Sequence, residues 1–218
     1  MSISTYSELQ TAVENWLDRS DLTSRIPEFI ALCEASYNYG VMAMNKRWAV
    51  EPLRIRAMET SGDVTISAQT ASIPTGYLAA RRFYLNTTDQ RQLEYLPPVD
   101  FWGRYGSSSS GEPIFYTAEA DNFVFMPAPG DSYTGKLLYY KKLDALSDSN
   151  TTNWLLTNAP NAYLFGTLYE AYNFAEGGQG EAENYLGRFA GVINALNAAD
   201  ASDRHSGAVL QMRTGVTA

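Results

Sequence analysis

The chain has 218 residues, enough for one large domain or two small ones with a real core. Charged residues make up only 18 %, the net charge is −8, and there is one Cys and one His. This excludes an internal disulfide and a multi-Cys metal site, and argues against nonspecific nucleic-acid binding, which needs Lys and Arg to displace counterions from phosphates. Tyr is abundant at 15 copies; it is bulky and amphipathic, and interfaces favour it. No apolar run is long enough to predict a membrane span. "MSISTYSELQ" lacks the basic and apolar parts of a signal peptide, so the cytoplasm is the expected compartment of synthesis.

A first helix is predicted after Thr5 or Ser7, with Glu8 at capping-box spacing from Thr5. Leu9, Val13, Trp16 and Leu17 share one face. After a turn at "DRSD", a second helix carries Pro27 in its first turn and a stripe of Ile26, Phe29, Ile30, Cys33 and Tyr37. Gly40 is a plausible terminator, although "VMAMNKRWAV" could extend or restart the helix. From Glu51 the period changes to two. Short strands separated by turns are expected in "LRIRAMET", "DVTISA", "ASIPTGY", "RRFYLNT", "RQLEYLP", "PIFYTAEADNFVFMPAPG" and "YTGKLLYYKKL". Ala120 to Asn122 reads as a hairpin turn and "GSSSSG" at 106–111 as a flexible loop. Helical signals return with Asn158 as an N-cap and Pro160 just inside. Leu164, Phe165, Leu168, Tyr169 and Tyr172 follow at helical spacing, and "EGGQG" interrupts them. A last helix is expected from Glu181 to Ala199, with an aperiodic tail beyond it.

These elements predict an α+β fold: an antiparallel helix bundle formed by the N- and C-terminal helices, a β-rich insertion lobe and an extended C-terminal tail. The corresponding boundaries are 1–50 and 152–200 for the bundle, 51–151 for the lobe and 201–218 for the extension. No catalytic pattern stands out. His205 lies in the expected tail, Cys33 on an apolar face, and no carboxylate pair or phosphate loop is singled out. No metal, cofactor or enzymatic activity is expected. An interaction protein remains, in which the nearly uncharged helix with Tyr163, Phe165, Tyr169 and Tyr172 packs partly inside its own subunit and partly against a neighbour.

The residues also carry a resemblance. "TYSELQTAVENWLDRSDLTSRIPEFIALCEASYN" at 5–38 and "LSDSNTTNWLLTNAPNAYLFGTLYEAYNF" at 146–174 resemble, in this order, the two hallmarks of the head-to-tail adaptor (connector) proteins of tailed bacteriophages and gene transfer agents. The resemblance implies a virion protein of the neck, assembled in the host cytoplasm. It implies a homo-oligomeric ring, a dodecamer, that docks under the portal protein, bridges it to tail or nozzle proteins and leaves a channel for DNA. It further implies a C-terminal extension that embraces the portal, here Arg204, His205, Val209, Leu210, Met212 and Arg213. A negative lumen, motivated by the net charge, would let the duplex pass without sticking. The competing readings are a tail-terminator or nozzle component, a virion hydrolase using two carboxylates, and a glycan-binding module using the rings of "PIFYTAEADNFVF".

Overall fold

A computed structural model describes residues 3–42, 48–104, 110–175 and 178–205. Helix α1 (Tyr6–Leu17) starts at Thr5: its hydroxyl accepts from the Glu8 N–H at 3.3 Å, and the Glu8 carboxylate accepts from the Thr5 N–H at 3.2 Å. This reciprocal pair satisfies backbone donors that a helix start leaves open, so Thr5 rather than Ser7 is the cap. A 3-10 turn, Ser20–Arg25, leads into α2 (Ile26–Tyr39), whose first turn holds Pro27 where the missing N–H has no intrahelical role. Gly40 ends α2 at φ 81°, a conformation that strains residues with a Cβ. Val41 and Met42 do not continue the helix, and residues 43–47 lie outside the described residues. Strand β1 (Val41–Met42) pairs antiparallel with β2 (Trp48–Val50), and the expectation of an extended or restarted helix is corrected here.

Residues Ala57–Lys142 form one compact unit. Its strands are β3 (Glu59–Ile66), β4 (Thr70–Ser72), β5 (Tyr77–Leu85) and β6 (Glu94–Tyr95). After helix α3 (Pro98–Arg104) come β7 (Ser110–Gly111), β8 (Phe115–Glu119), β9 (Asn122–Met126), β10 (Ala128–Pro129) and β11 (Tyr133–Lys141). One antiparallel sheet runs β3-β11-β5; a second runs β4-β9-β8-β6, with β6 parallel to β8. β7 and β10 form a short parallel pair. The hairpin between β8 and β9 turns at Ala120 and Asp121, with Glu119 opposite Asn122 and Ala120 at φ 51°, as the turn signal predicts.

Period two explains the layering of this unit. Val64, Ile66, Phe83 and Leu137 of the first sheet pack with Tyr116, Phe123 and Phe125 of the second. The other face of the second sheet sends Phe115, Val124 and Met126 against Phe101 of α3. Strand β9 is therefore buried on both faces, which is why "FVFM" is continuously apolar. Helix α3 lies where the sequence pattern gives no helix.

The other compact unit comprises Met1–Arg56 and Leu143–Ala218. Asn153 caps a short helix, α4 (Trp154–Asn158), by accepting from the Leu156 N–H at 3.0 Å. Asn158 is thus the end of α4 and not the cap of the next helix: its amide donates to the Trp154 carbonyl at 2.8 Å, and Ala159 precedes α5 (Pro160–Phe174) without a side-chain cap. The final helix, α6 (Gln179–His205), is longer than predicted at both ends. Helices α2 and α5 run in opposite directions, since Phe29 meets Phe174 with centroids 5.6 Å apart and Tyr37 meets Tyr163 at 5.7 Å. Gly166 sits where α2, α5 and α6 converge. A Cβ there would overlap Cys33 Sγ and stand 3.1 Å from Phe189 Cε2.

The extended segment after β2 is bound to α6. The Arg54 N–H donates to Asn197 Oδ1 at 2.9 Å, and Asn197 Nδ2 donates to the Pro52 carbonyl at 3.1 Å. One turn further on, the Arg56 N–H donates to Asp200 Oδ1 at 2.7 Å and the Arg56 guanidinium to Asp203 at 2.8 Å. These bonds account for the helical state of 200–205, which apolar periodicity does not predict.

Candidate functional site

The interior of the helical unit holds a polar centre. Glu34 Oε1 accepts from the Leu146 N–H at 2.9 Å and from the Tyr163 hydroxyl at 2.9 Å. Having donated its one proton to Glu34, the Tyr163 oxygen accepts from the Tyr37 hydroxyl at 3.0 Å and from Asn153 Nδ2 at 2.6 Å. Helices α2 and α5, the start of α4 and the segment arriving from β11 are thereby joined through four side chains. Tyr163 is fully buried, so it belongs to the interior of its own chain and has no surface to give a neighbour.

Burial pushes the Glu34 carboxyl above the ordinary carboxylate range, with its two hydrogen bonds opposing. Burial likewise raises Glu170, against the opposing bond from the Ser36 hydroxyl, 3.1 Å away. A raised carboxyl holds its proton to a higher pH in the folded chain than in the unfolded one. The stability this contributes is complete below the unfolded value and is lost as pH rises through the folded value. Glu34→Gln keeps the acceptor but removes the titration. Its melting temperature relative to wild type should therefore rise as pH rises from the ordinary carboxylate range to neutrality. A difference that stays flat across that window would refute a buried, titrating Glu34.

Phe165, Tyr169 and Tyr172 are half-buried, unlike Tyr163. Phe165 and Tyr172 join an aromatic cluster at the surface. Trp16, still 47 % exposed, meets Phe165 edge-on at 6.3 Å and Tyr185 at 6.5 Å. Tyr172 stacks on Tyr185 at 5.4 Å with planes 10° apart. The Arg188 guanidinium lies over both Phe165 and Tyr185, 5.7 and 5.6 Å from their centres. The cluster continues into an open groove of ≈ 610 Å³ between α5 and α6, floored by Gly191, Val192, Ala195 and Leu196. Sequence periodicity assigns Trp16 to the buried face of α1 and puts Val192 and Leu196 on the apolar face of the last helix, without marking them as the floor of an open groove.

A second exposed apolar surface lies on α2. Leu32 is 50 % exposed and Tyr39 55 %, with Met42 of β1 at 57 %. Glu28, Ala31 and Ala35 share the exposed side of the helix. In the β-rich unit, Tyr95, Val99 and Trp102 are exposed, and the Trp102 indole N–H donates to Glu119 at 2.6 Å.

Of the residues expected in the C-terminal extension, Arg204 is in the last turn of α6 and pairs with Asp200. His205 is the final helical residue, so both belong to α6 and not to an extended tail. Val209, Leu210, Met212 and Arg213 lie outside the described residues. Among the described residues, no group of three His, Cys, Asp or Glu side chains is placed to hold a metal, and no helix is long and apolar enough to cross a membrane. Cys33 is completely buried, and burial pushes its thiol up, away from the reactive thiolate.

The family model described as SU10 adaptor protein matches residues 4–213. The chain belongs to the SU10 adaptor family. This is a family of phage head-to-tail adaptors, as the paired hallmarks imply. The adaptor match takes in both compact units, from before α1 to beyond α6. No curated protein matches the chain. In this adaptor, the aromatic cluster, the groove beside it and the outer side of α2 are exposed apolar surfaces.

Proposed function

We propose that the chain is a structural virion protein without enzymatic activity, forming a ring of twelve copies at the head–tail neck. The ring docks beneath the portal protein, joins it to tail or nozzle proteins and leaves a channel through which DNA passes without specific binding. In this reading the helical unit is an antiparallel bundle that builds the ring, and the β-rich segment is its insertion lobe. The match to the SU10 adaptor family over residues 4–213 carries the reading. The exposed apolar surfaces support it, because two different patches on one subunit suit head-to-tail contacts, which close into rings.

The segment after α6 is assigned to the portal, with Val209, Leu210 and Met212 as apolar contacts and Arg213 beside them; Arg204 and His205 anchor its root. Deletion of residues 206–218 should leave the melting temperature unchanged while reducing co-sedimentation with portal about tenfold or more, the loss of a few buried apolar side chains. If the truncated chain binds portal as well as the full chain does, the portal assignment is wrong. Electron microscopy of neck particles tests the ring and its copy number directly.

A further inference from the structure

Arg188 is the unusual member of the surface cluster. It is exposed, it lies over two aromatic rings, and no carboxylate pairs with it among the described residues. It stands at the edge of a groove whose floor is apolar and made partly of Gly191 and Ala195, side chains small enough for another backbone to approach closely. Arg188 and Phe165 line the recess, and Trp16 and Tyr185 pack on Phe165 beside it; Trp, Tyr and Arg are the residue types that dominate binding energy at protein interfaces. The fitting ligand is an apolar helical ridge that carries a carboxylate.

The same chain displays such a ridge. On α2, Leu32 and Tyr39 project from one exposed side, Ala31 and Ala35 leave it low between them, and Glu28 stands one turn before Leu32. Among the described residues Glu28 is paired with Arg25 alone, in a surface pair at 3.2 Å whose partners are 50 % and 64 % exposed. Pairs of that kind exchange partners at little cost. None of the groove residues comes from α2, so one subunit can offer its ridge and fill its groove at the same time.

We infer that the α5–α6 groove, with Phe165 and Arg188 in its lining, receives the α2 ridge of a second copy of this chain, with Glu28 of that copy on Arg188. The contact joins two different surfaces, so each subunit has one donor face and one acceptor face. This inference rests on the ring reading and supplies the interface that the ring would use. Tyr163 takes no part in it. Phe165 does, and Tyr172 contributes by holding Tyr185 in place.

Charge reversal tests it in the full-length chain. Arg188→Glu and Glu28→Arg are made singly and together, with circular dichroism and thermal melting to confirm folding. Sedimentation velocity over a concentration series gives the self-association constant, and negative-stain images show whether the associated species is closed. Each single variant should weaken self-association about tenfold or more, and the double variant should recover most of the loss, because the pair is rebuilt with its signs exchanged. Leu32→Ser should also weaken it without affecting folding. Closed rings in which the double variant shows no recovery would overturn this interface and leave the ring standing. Recovery in species that never close would keep the interface and refute the ring. A chain that stays monomeric at every concentration would overturn the interface.

Discussion

Gly166→Val is expected to lower the stability of the helical unit by about 3 kcal/mol or more, the upper part of the range for overpacked cores. Gly166→Ala is the more informative variant because two effects oppose each other. Within a helix, alanine is favoured over glycine by about 1 kcal/mol. Against this, the new methyl overlaps Cys33 Sγ and crowds Phe189, and both neighbours are fully buried and have no room to retreat. Overpacking of this kind costs about 1–3 kcal/mol, so the clash should win and the melting temperature should fall by several degrees. Cys33→Ala removes the sulfur and should recover part of that loss in the double variant. A stabilised Gly166→Ala protein, or a double variant no better than the sum of the singles, would show that the three helices do not converge on this residue.

Tyr163→Phe should cost about 2–4 kcal/mol although it deletes a single oxygen. That oxygen serves Glu34, Tyr37 and Asn153 together. Removing it leaves a buried carboxylate short of one donor and a buried phenol short of its acceptor, and such orphaned groups cost about 1–3 kcal/mol each. The penalty should shrink in a Glu34→Gln background, where the group left short is neutral. Chemical denaturation of the four proteins of this cycle measures the coupling. Equal penalties in both backgrounds would mean that Tyr163 does not support the Glu34 charge.

How far the sequence discloses this molecule depends on how local each cause is. The Thr5–Glu8 box, Pro27, Gly40 and the turn at Ala120 act within a few residues of themselves, and each is where the pattern places it. Helix α3 is missed because "PPVDFWGR" lies among strands and its apolar residues fit either period over so short a span. Helix α4 is missed because Asn158-Ala159-Pro160 is a persuasive start signal, while Asn153 is the functioning cap. The end of α6 is polar, and its partners at 52–56 are more than 140 residues away in the chain. The aromatic helix α5 shows most clearly what periodicity omits. It marks Tyr163, Phe165, Tyr169 and Tyr172 as candidates for burial without saying against what. Glu34, on a different helix, draws Tyr163 inwards, while Phe165 and Tyr172 reach the surface cluster beside Trp16.

The β-rich unit is joined to the helical unit by two chain crossings, near Arg56 and near Leu143. Both are fastened on the helical side. The outgoing segment is bonded to α6 through Asn197 and Asp200, and the returning segment is bonded to Glu34 of α2 through the Leu146 N–H. Pulling the outgoing segment off α6 therefore loads several hydrogen bonds at once, and pulling the returning segment off α2 breaks the Leu146 bond and leaves the buried Glu34 carboxyl short of a donor. Asn197, Asp200 and Glu34 are therefore the side chains that should set the force at which these two segments are stripped from the helical unit.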